Sequence, residues 1–311
     1  MTERFDVVVI GGGPAGLEAA LLLARACLTV RVLDAGRDEV GVRRNASALV
    51  AHGALGFDGV PPSQLRAKAR AELYHHGVIV EPRQVERLDR QDSSLVVTLE
   101  DGGTVHGRRV LLATGLRDVL PPLPGLAETW GATVFSCPYC HGFELASRAE
   151  RPRRWGVLAK EIAALKTAPL YTRWSPMLTV FTDGLEAPRE LREAHEAGGI
   201  RYETRAVRGL THDGENLRAI VLEDGTEVAT DALVLRPPRE LGPLVDGLGL
   251  ARDEHGLLAV DARGQTSMKG VHACGDLTTT PHQIVFAMAD GAHAAMAITS
   301  SIAFEDVLRK A

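Results

Sequence analysis

Cys137 and Cys140 stand three positions apart in SCPYCHGFEL, and His141 follows directly. Two thiols at that spacing can hold a metal, staple a loop or carry two electrons. A structural zinc site takes four ligands, usually from two such pairs. The only other cysteines, Cys27 and Cys274, lie singly in apolar stretches, so no metal is expected. Both are expected to be small buried hydrophobes. In a reducing compartment a disulfide framework is disfavoured, which leaves the close pair to redox work. A helix starting beside it would depress a thiol pKa and supply the thiolate that attacks disulfides. His141 titrates near neutral pH and suits moving a proton from a dithiol. The plainer alternative is that it only hydrogen-bonds the turn.

A redox pair needs a frame and a destination for its electrons. The 311 residues are enough for one large or two ordinary domains, and 45% hydrophobic with 24% charged residues is a globular composition. A formal net charge of −5 and 5% aromatic residues give neither a basic field nor stacking platforms, so no nucleic-acid partner is expected. No apolar run approaches the ~20 residues that span a bilayer. The start, FDVVVIGGGPAG, lacks the basic stretch and cleavage site of a signal peptide, and a cytoplasmic protein is expected.

That start is a strand, a glycine turn and, in LEAALLLARA, a helix. The context turns Gly11, Gly13 and Gly16 into a dinucleotide fingerprint. Gly11 permits the tight turn, Gly13 lets backbone approach a pyrophosphate, and Gly16 lets helix pack on strand. The helix N-terminus, at Pro14 and Ala15, faces the phosphates. The next strand, LTVRVLD, ends in Asp34, placed to accept hydrogen bonds from a ribose. Two more segments matter: RRVLLATGLRDVLPPLPG, whose strand ends in Ala113, Thr114 and Gly115, and GVHACGDLTTTPHQIVFAMADGAHAAMAI near the end.

With GGGPAG, ATG, CPYCHG and the late Gly275-Asp276 together, the chain resembles the flavoprotein disulfide reductases of the low-molecular-weight thioredoxin-reductase type, over essentially its whole length. The resemblance implies an α/β fold of two Rossmann-like domains, the second inserted in the first, of the three-layer β/β/α FAD-binding type. The FAD domain would take residues 1–117 and 241–311, and the insert 118–240 would carry the cysteines. FAD is the cofactor implied. Asp276 would bond its ribityl chain, and His282, Gln283 and Ile284 would open the last helix toward the flavin ring, where a helix N-terminus stabilises negative charge. Val85 would pack at the adenine, and Arg44, Asn45 and His52 would run beside the flavin. Cys140 would exchange electrons with the flavin and Cys137 would meet the substrate. His141 takes the place of the family's acidic proton donor and acceptor, with His282 a second candidate acceptor. A homodimer is the family precedent.

Such a reductase holds NADPH in a second nucleotide unit. In RRWGVLAKEIAALKTAPLYTRWSPMLTVFTDG the expected strand, helix and strand are present, but the small phosphate-loop positions fall on Ala159, Glu161 and Ala164. Glu161 puts a carboxylate where pyrophosphate would lie, a repulsion of about 4 kcal/mol at about 4 Å in a dielectric near 20. Asp183, in Thr182-Asp183-Gly184, opposes a 2′-phosphate, and Pro169 removes a helix donor. Without hydride delivery, electrons would run from a small-molecule dithiol through the cysteines and FAD to molecular oxygen, giving hydrogen peroxide. The chain is similar in this to the dithiol oxidases of gliotoxin, holomycin and romidepsin-type secondary metabolite biosynthesis. A thioredoxin-type reductase fed by NADPH, ferredoxin or a second flavin is the alternative, and a non-catalytic flavin redox sensor the third.

Overall fold

The run Val7–Ile10 is apolar at every position and buried on both faces, as a strand inside a parallel sheet must be. The computed structural model describes residues 3–36, 44–91, 94–147 and 153–309. In chain order the first elements are β1 (Glu3–Ile10), α1 (Pro14–Arg25), β2 (Val30–Leu33), α2 (Pro62–His75), β3 (Ile79–Glu81), β4 (Val85–Gln91), β5 (Ser94–Leu99) and β6 (Thr104–Leu112). Next come β7 (Arg117–Asp118), α3 (Leu126–Thr129), β8 (Val134–Phe135), α4 (Pro138–Ser147), β9 (Arg154–Leu158) and α5 (Ile162–Thr167). They are followed by β10 (Met177–Phe181), α6 (Arg189–Ala197), β11 (Arg201–Glu203), β12 (Val207–Asp213), β13 (Asn216–Leu222) and β14 (Glu227–Ala229). The last are β15 (Ala232–Leu235), β16 (Arg239–Glu240), α7 (Pro243–Gly247), β17 (Val271–Ala273) and α8 (Ile284–Leu308).

The chain divides into two compact units, one of residues 1–46, 53–117 and 240–311, the other of 47–52 and 118–239. In the first, β3, β2, β1 and β6 run parallel in that order, and β17 joins β6 in parallel. The meander β4–β5–β6 is antiparallel. One apolar cluster joins the meander to the sheet, and another joins the sheet to α1 and α8. Small residues let those helices touch: a Cβ on Gly291 would lie 2.2 Å from the Ala15 carbonyl oxygen.

The second unit has a five-stranded parallel sheet, β11-β10-β9-β15-β8, and an antiparallel β12-β13-β14. The proline-rich crossings contain β7 and β16, which pair with each other. α6 is laced along its surface by the ion pairs Arg189–Glu193 and Arg192–Glu196, at 2.7 and 2.8 Å. Residues 47–52 pack with the second unit, where Ser47 backs onto Gly131 and His52 pairs with Glu144. One expectation is corrected: Cys27 is exposed, because it sits at φ 61 just beyond the end of α1. Cys274 is buried as expected, and burial pushes its thiol well above the ordinary range. Among the described residues no helix is long and apolar enough to cross a membrane, and no group of metal-ligating side chains is gathered.

Candidate active site

β1 delivers the chain to Gly11, whose N–H donates to the Leu33 carbonyl at 2.8 Å. A Cβ on Gly11 would stand 2.3 Å from the Ala113 carbonyl oxygen, and one on Gly16 would stand 2.0 Å from the Gly11 carbonyl oxygen. The fold itself demands these two glycines. A Cβ on Gly13 would meet nothing within 4 Å. Gly13 is the N-cap of α1, with Pro14 next and Ala15 buried, so open backbone adjoins a helix N-terminus. That is a cradle for a pyrophosphate.

Asp34, Ala113 and Gly275 follow the ends of β2, β6 and β17, in the same sheet as β1. Asp34, buried at the end of β2, accepts from Arg70 Nη2 at 2.7 Å. Arg44 Nη1 donates to Asp276 Oδ2 at 2.8 Å, which ties the turn containing Asn45 to the Gly275-Asp276 turn. Gly275 has φ 74 and donates its N–H to Asp290 Oδ2 at 2.6 Å. Ala113 is buried at the end of β6, Thr114 is exposed, and Gly115 has φ 70. Gln283 is the extended N-cap of α8, with His282 before it and Ile284 the first helical residue. Val85 is 4% exposed, its side chain committed to the core, so backbone is what it can offer an adenine. These residues fit FAD: an open glycine, a buried acid at the ribose position, and two helix N-termini.

The redox pair belongs to the second unit. β8 ends two residues before Cys137, and α4 starts at Pro138, which suits the first helical position. Cys137 therefore precedes the helix and Cys140 lies in its first turn. The Cys140 N–H donates to the Cys137 carbonyl at 3.2 Å, and the two sulfurs are 2.8 Å apart. Both thiols are half-buried. Negative charge on sulfur is favoured at such a helix start.

His141 is held from two sides. Its Nε2 lies 3.1 Å from the Gly131 carbonyl oxygen, and its ring stacks on Phe135 with centroids 5.2 Å apart. A carbonyl only accepts, so in the neutral ring Nε2 carries the proton and Nδ1 is the basic nitrogen. Burial pushes the His141 pKa below its ordinary value, and the Cys137 and Gly131 carbonyls pull it part of the way back. His52 opposes its protonation and Glu144 favours it. Beneath the helix, a Cβ on Gly142 would meet the Trp174 ring at 2.6 Å. Trp174 stacks on the buried Trp155 at 6.3 Å and takes the edge of Tyr139 at 5.3 Å. Tyr139 and Phe143, one helical turn apart on α4, are exposed.

The second nucleotide loop carries side chains where bare backbone was expected. β9 runs into Ala159, which is fully buried, and Glu161 is the exposed N-cap of α5. α5 lasts six residues before Pro169 turns the chain into a 3-10 segment, Ala168–Arg173. Asp183, at φ 50, accepts from the Val207 N–H at 2.6 Å and forms an ion pair with Lys160. The bridge joins the loop after β9 to the loop after β10.

Sequence reasoning missed Arg70 on Asp34, Asp290 on Gly275, Trp174 under Gly142, and Glu144. Gly142 and Gly291 were the available signals, since glycine inside a helix is costly without a packing reason. His52, expected beside the flavin, lies 3.4 Å from Glu144 through its Nε2.

Comparison with known proteins agrees with this arrangement. The family described as pyridine nucleotide-disulphide oxidoreductase matches residues 5–291. A protein named thioredoxin reductase sirT, from Leptosphaeria maculans, is 35% identical over 93% of this chain and 92% of its own. Thioredoxin reductase tcpT from Claviceps purpurea is 35% identical over 87% and 86%. The crystal structure of HlmI superposes with a TM-score of 0.91 at 34% identity, covering 100% of this chain and 96% of that one.

Proposed function

The chain belongs to the pyridine nucleotide-disulphide oxidoreductase family, as a thioredoxin-reductase-like oxidoreductase that binds FAD, and from that premise we propose that it is an FAD-dependent dithiol oxidase. It closes an intramolecular disulfide in a small-molecule metabolite. The overall exchange is a dithiol plus molecular oxygen giving a disulfide plus hydrogen peroxide. The observation that carries the reading is the Lys160–Asp183 bridge, with Asp183 also held by the Val207 N–H, across a loop that has lost its glycines. A loop without glycines, whose Lys160 is already paired with Asp183, offers a nicotinamide dinucleotide a poor cradle, which supports reduction from the thiol side.

A substrate thiolate attacks Cys137 Sγ in the oxidised pair, and Cys140 leaves as thiolate. The second substrate thiol, its proton taken by His141, attacks the mixed disulfide and releases Cys137. FAD would be held by Gly11, Gly13, Pro14, Ala15, Gly16, Asp34, Arg44, Asn45, His52, Val85, Ala113, Thr114, Gly115, Gly275, Asp276, Gln283 and Ile284, and when bound would supply a two-electron acceptor between the cysteine pair and oxygen. His282 is a second proton acceptor in this scheme. Tyr139 and Phe143, apolar and exposed beside the pair, suit the wall of a small apolar substrate. The same reading takes residues 1–117 and 241–311 as the FAD domain and 118–240 as the insert, in a cytoplasmic homodimer.

The relatives are named thioredoxin reductases, which favours a second reading, a thioredoxin-type disulfide reductase drawing on NADPH or another donor. Anaerobic mixing separates the two. Bleaching of the flavin by a small dithiol but not by NADPH, reversed by air with peroxide release, is expected. Bleaching by NADPH would sink the oxidase reading and leave the reductase. Bleaching by neither would point to ferredoxin, a second flavin or a sensor role.

A further inference from the structure

The chain joins the second unit for six residues, 47–52, and two contacts hold it there. Gly131 backs onto Ser47 so closely that a Cβ on Gly131 would lie 2.6 Å from the Ser47 side chain. His52 Nε2 lies 3.4 Å from Glu144 Oε1. Both contacts lead to His141. The Gly131 carbonyl is the one that His141 Nε2 meets at 3.1 Å, and Glu144 follows His141 by three positions on α4. Residues at that spacing share a helix face. The contacts form a closed circuit from α4 through Gly131 and the 47–52 segment back to α4, with His141 inside it.

We propose that His52 and Glu144 are a positioning pair for the redox centre, which clamps the 47–52 segment to α4 and sets, through their opposed charges, how readily His141 takes a proton from a substrate thiol. The role of that proton rests on the dithiol oxidase reading. Among the described residues, the charged groups that act on His141 are Glu144 on α4 and His52 on the segment; Cys137 and Gly131 bring carbonyls and Phe135 of β8 a ring. A protonated His52 disfavours a second cation nearby, and ionised Glu144 favours one. Closing one disulfide strips two protons and two electrons from the dithiol, and all four end on peroxide. His141 holds a proton on the way, so its affinity must be low enough to release it and high enough to take it.

The test is a histidine-selective NMR titration of the full-length holoenzyme, with the His141 signal assigned by its loss in His141→Gln. In Glu144→Gln the His141 midpoint should move to lower pH. In His52→Gln it should move to higher pH. Glu144→Asp, which keeps the charge, should bring it back toward the parent. The acidic limb of the dithiol-oxidation rate should follow in the same two directions. Opposed shifts support the pair, since a merely structural contact would not reverse sign. Midpoints that stay put, or move together in both variants, overturn it. The titration needs no substrate: opposed shifts without bleaching by any dithiol would keep the pair and sink the oxidase reading instead.

Discussion

Gly13 and Gly16 stand three residues apart and should fail differently when given a side chain. Gly16→Ala drives a methyl into the Gly11 carbonyl, so the protein should be recovered unfolded or not at all. Gly13→Val meets only open space, so it should fold with parent circular dichroism and lose its visible flavin absorbance. Retention of flavin by that variant would remove Gly13 from the pyrophosphate. Both glycines and their duties were legible from one motif, but the clash partner of their neighbour Gly11 was not, because it is Ala113, distant in sequence. For the same reason Arg70, thirty-six positions from Asp34, left no local trace. Of the redox residues, His141→Gln should lower kcat for dithiol oxidation by about 100-fold with KM little changed. Because burial holds the His141 pKa below its ordinary value, its neutral, proton-accepting form survives to lower pH. The rate should therefore hold as pH falls past about 6.5 and drop only below it, and His141→Gln should lose that limb.

Two helices decide how their loops behave. α4 carries the cysteines and is seated on Trp174 through Gly142, with no room for a methyl. Gly142→Ala should lower stability by about 1–3 kcal/mol in thermal or urea unfolding. It should also slow thiol exchange, and Trp174→Leu in the same protein should recover part of both. If Gly142→Ala proves neutral, the ring is not the seat of the helix. α5 is the converse case. A short, proline-ended helix behind Glu161, bridged by Lys160 and Asp183, should not be rescued by glycines alone. Ala159→Gly with Glu161→Gly should still show no flavin bleaching by NADPH under anaerobic conditions. The missing glycines were readable in the sequence, but the salt bridge that takes their place was not, since it joins two loops of the sheet.

At the scale of the whole molecule, acid is the stress that the fold resists least at His272. This histidine is buried in β17, and burial, then the charge of Arg109, pushes its pKa down to about 4. An unfolded histidine binds its proton below about pH 6.5, the folded one only near 4, so stability is lost as pH falls between those values. The loss should approach about 3 kcal/mol, read as a falling urea midpoint, and His272→Asn should flatten the slope. The parallel sheets were legible because buried strands spell continuous apolar runs; the partition of the chain was not, because a segment of six residues, 47–52, is too short to carry such a signature. Their placement makes the backbone cross between the two units four times rather than twice. Recombination with a relative therefore cannot trade 118–239 as a cassette: a chimera that swaps that stretch alone would marry a foreign helix to a native histidine, and only a two-piece graft preserves the match.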